Sequence, residues 1–199
     1  MMREVAEQDL TGRARLRRVA MRLFAEQGFE ATSVRVVAAE AGVSPALIAH
    51  HFGSKQQLRA AVDDEVLATV GDALTAVDIE LPVPRLMAEL GGATARLFGA
   101  DEDVRRYVRR ALLEDSETGR TLFTRLGDGA GRVLERLSAA GVVRADADPD
   151  WARFQLLLLV LGPLLLEPLL PADAFEPAVL ARRSAANQRL LRHGLFHER

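Results

Sequence analysis

Apolar residues recur along most of the chain with the spacing of α-helices. In "RARLRRVAMRLFAEQGF", the residues at i, i+3, i+4, i+7 and i+8 are Leu16, Val19, Ala20, Leu23 and Phe24. Arginines occupy the opposite face of this segment. The alternation typical of a β-strand does not persist over four or more residues. The pattern therefore predicts an all-α protein of about nine helices.

Turn residues divide the first 55 residues into three predicted helices. Gly28 and Gly42 are placed to end the first and second helices, because glycine adopts the left-handed backbone that follows many helix ends. Ser44 followed by Pro45 is typical of a helix start, and the third helix is expected to reach about Phe52. Further helices are predicted at about 55–77, 84–98, 101–114, 117–140, 150–169 and 174–195.

Three short helices with a four-residue turn between the second and third predict a helix-turn-helix. Ala38 falls where these two helices would touch, and only a small side chain lets them approach closely. Gly42, four residues later, supplies the positive φ of a sharp turn. Val43 and Ile48 are placed to fill the angle between the helices.

The stretch "AGVSPALIAHHFGSK" closely resembles the N-terminal DNA-binding domain of the TetR family of transcriptional regulators. The resemblance is strong over residues 12–60 and continues over 61–199 as length, helix count and helical rhythm. It implies a helix-turn-helix domain at 1–55 and a helical ligand-binding and dimerisation domain at 56–199. The implied function is a one-component regulator of transcription, with repression favoured over activation. Such a protein binds a palindromic DNA operator as a homodimer and is released by a small, mainly apolar effector.

The resemblance also implies a role for individual residues. Ser33 and Arg35 are expected to meet backbone phosphate or a base. The residues that lead the recognition helix into the major groove are Ser44, Pro45, Ala46 and Leu47. Phosphate contacts are expected from His50, His51 and Lys55. Ala49 stands where the family usually has a tyrosine, which leaves base recognition to Arg35, Ser44 and DNA shape.

Charge is distributed unevenly along the chain. Residues 1–60 hold nine Arg or Lys and six Asp or Glu, a net of +3, whereas residues 61–199 hold 17 against 22, a net of −5. A basic N-terminal part on an acidic remainder suits a protein that meets nucleic acid through one end.

The most apolar run of the chain is "LLLLVLGPLLL", Leu156 to Leu166. It is shorter than the roughly 20 residues that cross a membrane, so a buried helix is predicted and no membrane partner. A helix that is apolar on every side must be covered on every side. The resemblance implies that this helix and the last one pair with those of a second subunit in a four-helix bundle. The candidate interface residues are Leu157, Leu161, Leu164, Leu165 and Leu190.

Aromatic residues are few and stand on different predicted helices. Ligand cavities are mostly apolar with a few polar groups, so these residues are candidates for the lining of an effector site. They are Phe98, Tyr107, Phe123, Trp151 and Phe154. An ordinary place in the core is the alternative for each of them.

Two other functions stay open from the sequence. The pairs His50 and His51, and His193 and His197, suggest a small all-α enzyme or metal protein, although adjacent helical residues diverge by roughly 100°. A dimeric adaptor without DNA binding is suggested by Ala49. No phosphate loop, nucleophile elbow or HExxH motif occurs, so we predict no enzyme activity, no metal and no cofactor. The lack of cysteine and of an apolar leader favours the cytoplasm.

Overall fold

The computed structural model describes residues 2–99, 101–114 and 116–194, and this part of the chain is all-α, as predicted. Its helices are α1 (Met2–Gln27), α2 (Val34–Glu40), α3 (Pro45–Phe52), α4 (Lys55–Thr75), α5 (Val83–Gly99), α6 (Glu102–Leu113), α7 (Glu117–Ala139), α8 (Pro149–Leu165) and α9 (Pro177–Gly194). A short 3-10 helix, Glu167–Leu169, follows α8. We call α1–α3 the head and α5–α9 the body.

The predicted helix-turn-helix is formed by α2 and α3. Ala38 is fully buried at the contact of these helices, and the N–H of Val43 donates to its carbonyl oxygen at 2.9 Å. Gly42 has φ +66°, which confirms the sharp turn predicted at this position. Ile48 and Phe52 are buried, so one side of α3 is fixed in the core while the other faces outward.

The helix α4 joins the head to the body. It packs against α1 and α3 at one end and against α5 and α7 further along. One apolar cluster runs without a break from Leu16 in α1 to Leu180 in α9. A second, smaller cluster lies in the body around Leu86, Val133 and Leu137. The head therefore sits on the body through a shared core and not through a flexible linker.

The apolar helix α8 has two stripes that face in different directions. Leu157, Leu161 and Leu164 are at most 4% exposed within the single chain, so the prediction that they form an interface between subunits is wrong. They are spaced i, i+4 and i+7, and this stripe packs against the rest of the body. A second stripe is exposed and includes Trp151 and Leu158, with Leu165 half-buried beside them. Periodicity alone does not reveal which stripe of an all-apolar helix turns inward.

Leu190 in α9 is 63% exposed, and it stays a candidate for the subunit interface. Within the described residues, no helix is both long and apolar enough to cross a membrane.

Candidate DNA interface and interior cavity

The outer side of α3 is made of small or polar side chains. Pro45, Ala46, Ala49 and His50 are exposed, and Leu47 is half-buried. Small side chains leave the helix backbone free to approach a flat or grooved partner closely. An α-helix of this width fits the major groove of DNA, where the N-terminal residues of a recognition helix meet the base edges.

Two serines at helix starts use their side chains differently. The Oγ atom of Ser33 accepts a hydrogen bond from the N–H of Val36 at 3.2 Å and caps α2. Ser44 stands at the N-cap of α3 but makes no side-chain capping bond, and its side chain is exposed. The hydroxyl of Ser44 is therefore available to a partner at the leading edge of α3.

Lys55, the only lysine of the chain, lies at the start of α4. Its ammonium donates a hydrogen bond to the carbonyl oxygen of Glu30 at 3.3 Å and lies 4.2 Å from the ring centroid of Phe29. These contacts hold the charge beside the turn between α1 and α2. An ammonium has three N–H donors, so two remain for an anion such as phosphate.

The two adjacent histidines differ in environment. His50 is exposed, whereas the Nε2 atom of His51 is buried and lies 3.8 Å from where a Cβ on Gly12 would stand. His51 therefore belongs to the joint between α3 and α1, and its contact with phosphate stays a prediction. Within the described side chains, no three His, Cys, Asp or Glu residues come together as a metal site requires. The second pair, His193 and His197, falls outside the described side chains.

Arginines of the head divide into two groups by their partners. Arg17, Arg18 and Arg22 pair with acidic residues of α4, the α6 N-cap and α2. Arg13 and Arg35 make no ion pair with any described acid. Arg13 lies 5.4 Å from the ring centroid of Phe52, at the end of α3, and was not among the predicted contact residues. Arg13, Arg35 and the exposed Arg15 thus lack a described acidic partner, and the first two place positive charge beside α3 and at the start of α2.

The body contains a cavity of about 180 Å³ surrounded by α4, α5, α7, α8 and α9. Most of its wall is apolar and includes Leu90, Leu97, Phe98, Leu126, Val160 and Leu191. The polar groups of its wall come mainly from α9 and include Arg183, Ser184, Asn187 and Gln188. Such a mixture of an apolar wall and a few polar groups is typical of sites for small molecules.

Of the five aromatic residues predicted to line an effector site, Phe98 alone lies in the wall of this cavity. Phe123, Trp151 and Phe154 are between 38% and 61% exposed, so their prediction as cavity residues is wrong. Tyr107 is also misplaced in that prediction, because it is buried against α4, where its hydroxyl donates to Asp63 at 2.5 Å. Burial and the carboxylate of Asp63 raise the pKa of Tyr107 above its ordinary value, so the hydroxyl keeps its proton.

The cavity is formed where α5 and α9 pack closely. A Cβ on Gly91 of α5 would stand 2.1 Å from the Oγ atom of Ser184 in α9, so a larger residue there would require Ser184 to shift. Leucine, alanine and glycine positions carry no sign in the sequence that distinguishes a cavity wall from a filled core. For this reason the sequence analysis predicts the large aromatic residues as the lining of the cavity.

The helix α6 ties the body to the head at both of its ends. At its start, Asp101 caps the helix and pairs with Arg18 of α1. At its end, Arg110 donates hydrogen bonds to the carbonyl oxygens of Ala25 and Glu26, at 2.9 and 3.3 Å. Those carbonyls belong to the last turn of α1, where the carbonyl oxygens have no N–H partner within the helix.

The same helix also reaches the cavity. Arg105 of α6 donates to the carbonyl oxygen of Phe98, a residue of the cavity wall, at 2.9 Å. It pairs with Glu167, which follows α8, at 2.5 Å. A displacement of the cavity wall could thus be transmitted through α6 to the end of α1. A second path is α4, in which Ala73 lines the cavity while the other end of the helix lies against the head.

Comparisons with known proteins agree with this architecture. The family model for bacterial regulatory proteins of the tetR family matches residues 16–62. The HTH-type transcriptional regulatory protein RaaS of Mycobacterium tuberculosis is 33% identical over 158 residues, which cover 77% of this chain and 69% of that protein.

Two solved structures share the fold over nearly the whole chain. The TetR family protein CprB from S. coelicolor A3(2) has a TM-score of 0.74 and 22% identity, over 96% of this chain and 91% of that one. A transcriptional regulator from Saccharomonospora viridis in complex with choline has a TM-score of 0.70 and 18% identity, over 94% and 98%. The matched head, the identity to RaaS and the shared helical body lead to one conclusion. The chain belongs to the TetR family of transcriptional regulators.

Proposed function

We propose that this regulator is a homodimeric repressor that binds a palindromic operator and leaves it when a small, mainly apolar ligand fills the cavity of the body. In this proposal residues 1–55 bind DNA, and residues 56–199 bind the ligand and dimerise. The observation that carries the proposal is the apolar cavity, because two helices connect its wall directly to the head.

The outward side of α3 supports the DNA-binding part of the proposal. Ser44, Pro45, Ala46 and Leu47 would enter the major groove, where Arg35 and the Ser44 hydroxyl are the groups able to bond to base edges. Ser33, His50, His51 and Lys55 would meet phosphate, joined by Arg13. Because phosphate contacts release counterions, the affinity should fall steeply as salt concentration rises.

The exposed stripe of α8 supports a homodimer. Trp151 is 61% exposed and Leu158 is 42% exposed in the single chain, and the rings of Trp151 and Phe154 pack edge to face at 5.7 Å. Large apolar side chains grouped on one face mark a surface that a partner covers. We assign this stripe, together with Leu165 and Leu190, to the contact between two copies of the chain. In this proposal Trp151 and Phe154 contact the second subunit instead of a ligand.

The cavity and the helices around it support release by a ligand. A hundredfold loss of operator affinity requires the ligand to prefer the released state by about 2.7 kcal/mol. Burying about 100 Å² of apolar surface at about 25 cal/mol per Å² contributes roughly 2.5 kcal/mol. One apolar group that fits better in the released state is therefore sufficient.

A second depression, of about 930 Å³, lies between the turn after α1, α4 and the start of α7. Its wall includes Arg59, Asp63, Asp64, Arg110 and Glu114, so it is a charged groove. The apolar cavity is the better effector site, because it is smaller, more apolar and lined by five helices of the molecule.

The proposal is tested by measuring the mass and DNA stoichiometry of the protein. Sedimentation velocity at micromolar concentration should show a dimer, and a palindrome from the upstream region of its gene should bind two protomers. Half-sites roughly 34–36 Å apart, or a multiple of that distance, should be required, because both recognition helices must reach the same side of the DNA. A stable monomer, or equal affinity for a single half-site, contradicts the proposal.

A further inference from the structure

The charges around the cavity are all of one sign. Two arginines, Arg132 of α7 and Arg183 of α9, belong to its wall, whereas no described Asp or Glu does. A charged wall attracts ligands of the opposite sign and repels those of its own sign. The cavity therefore discriminates between ligands by charge as well as by size and polarity.

Arg183 stands out among the arginines of the body. It is half-buried and makes no ion pair with any acid in the described part of the chain. Burial lowers the pKa of Arg183, and no acidic neighbour offsets this effect. Its described contact is with the ring of Phe175, whose centroid lies 5.6 Å from the guanidinium carbon. A half-buried cation without a carboxylate nearby is costly unless a ligand supplies the missing negative charge.

Arg105 contacts the same aromatic ring as Arg183, but its charge is balanced by an acid. Its guanidinium packs on the same Phe175 ring, at 4.4 Å, and is paired with Glu167 at 2.5 Å. Arg109 also pairs with Glu167, at 3.0 Å. The protein thus supplies an acid for Arg105 and Arg109, whereas no acid in the described residues pairs with Arg183 of the cavity wall.

We infer that the effector is an anionic amphiphile, with an apolar chain or ring in the cavity and a carboxylate or phosphate group on Arg183. This inference rests on the proposed function and names the chemical class of its ligand. A guanidinium offers parallel N–H donors that match a carboxylate or a phosphate, and Asn187 lies one turn further along α9 in the same wall. An apolar cavity of about 150 Å³ holds benzene, so the space here accommodates an apolar group of at least that size.

The inference separates this protein from a sensor of organic cations. Recognition of a quaternary ammonium group uses aromatic faces or carboxylates. Among the described residues of the wall, Phe98 is the only aromatic one, and both charged side chains are positive. An alkyl chain with a cationic end should therefore bind more weakly than the same chain with an anionic end.

The test compares three ligands of equal length by isothermal titration: octanoate, 1-octanol and octyltrimethylammonium, each below its micelle concentration. The wild-type protein should bind octanoate at least tenfold more tightly than octanol, and the cation more weakly than octanol. Octyl phosphate, as a fourth ligand, distinguishes the two anionic groups, and tighter binding of either anion than of the alcohol supports the inference. Equal binding of octanoate and octanol, tighter binding of the cation, or no binding of any of them overturns it.

Substitutions then assign the preference to one side chain. In Arg183→Gln the ratio of octanoate to octanol affinity should fall to about one, while Arg183→Lys should keep most of it. Arg182→Gln is the matched control, because Arg182 is the exposed neighbour on the same helix and the change in net charge is the same. Since the ratio is measured within one protein, a loss of stability does not imitate the result. An unchanged ratio in Arg183→Gln overturns the inference.

A mobility shift with the operator separates this inference from the proposed function. If octanoate binds through Arg183 and also releases DNA, both the anionic ligand class and the proposed release by a ligand are supported. If it binds with the expected charge preference and leaves operator affinity unchanged, the ligand class stands and the proposed release is wrong.

Discussion

The head and the body of this protein share one apolar core but expose different kinds of surface. Around α3 the head exposes small side chains and positive charge without a described acidic partner, and the larger apolar residues Ile48 and Phe52 are turned inward. The body exposes large apolar side chains on α8 and places Arg183, half-buried and without a described acidic partner, beside a cavity. A surface of the first kind suits the grooves of DNA, and a surface of the second kind suits another protein.

The joint between the two regions is held by polar contacts at the ends of helices. Asp101 and Arg110 stand at opposite ends of α6 and bind the side chain of Arg18 and the last carbonyls of α1. Contacts of this kind depend on the angle between the helices, so a small rotation of α6 would move α1 and the attached head. The two surfaces therefore differ in their chemistry, while the regions that carry them are connected through α6.

The largest expected effect comes from placing a charge on the exposed stripe of α8. Leu158→Arg would bury an unpaired cation in the proposed dimer contact, at a cost of several kcal/mol. We expect a monomer in sedimentation velocity and a loss of operator affinity of more than about a hundredfold, because the two heads would no longer bind together.

The control is Leu113→Arg, because Leu113 is 66% exposed at the end of α6 and is not part of that stripe. This variant should remain dimeric. A dimeric Leu158→Arg protein would show that the exposed apolar face of the body is not the subunit contact.

A smaller effect is expected when phosphate contacts of the head are removed. Lys55→Ala and Arg35→Ala should each weaken operator binding by roughly tenfold at moderate salt and lower the slope of log affinity against log salt by about one. Lys55→Ala should weaken binding to all sequences alike, whereas Arg35→Ala should also relax specificity.

The matched control for Arg35→Ala is Arg153→Ala, which removes the same charge from the body, where Arg153 pairs with Asp128. It should leave operator affinity near the wild-type value. If all three variants bind alike in fluorescence anisotropy, the positive charge of the head has no special role in DNA binding.

The smallest effect concerns the joint at the start of α6. Asp101→Ala removes an N-cap and an ion pair, and we expect it to lower the free energy of unfolding by about 1–2 kcal/mol in chemical denaturation. Asp101→Asn keeps the capping oxygen and should lose less than about 1 kcal/mol. Equal losses in both variants would show that the charge matters more than the cap.

The same residue predicts a dependence on pH. Burial alone would raise the pKa of Asp101, but the N–H of Val104 and the guanidinium of Arg18 outweigh it and hold the pKa below its ordinary value. The stabilisation is therefore complete above the pKa of an unfolded aspartate, roughly 3.9, and is lost as the pH falls through the lower folded value. The difference between wild type and Asp101→Asn should shrink over that acidic range.

The sequence predicted the fold and the head well because their signals are local. The helix ends at Gly28 and Gly42 and the helix start after Ser44 are set by a few neighbouring residues, and the structure places all three as predicted, although the side chain of Ser44 makes no capping bond. The contact at Ala38 follows from the same short motif.

The cavity and the outer face of the body depend on packing between distant residues. Gly91 meets Ser184, and Phe98 meets Arg105, only because the chain folds α5 against α9 and α6. Side-chain size therefore misled the prediction, since Trp151 and Phe154 lie on the surface while mainly leucine, valine, alanine and glycine residues line the cavity. Leu157 and Leu158 are adjacent leucines of α8, but Leu157 faces the core and Leu158 is exposed. Nothing in the local sequence tells which of the two faces inward.

The central claim is that an occupied cavity weakens the hold of the head on DNA, and the most direct test fills the cavity with a side chain. Ala130 of α7 lines the cavity, so Ala130→Trp places a large apolar group there without any ligand. The control is Ala139→Trp, because Ala139 is exposed at the end of α7. Operator affinity, measured by fluorescence anisotropy on proteins shown to be folded and dimeric, should fall by more than tenfold in Ala130→Trp and stay unchanged in Ala139→Trp. A folded, dimeric Ala130→Trp protein that binds the operator like the wild type would contradict the account.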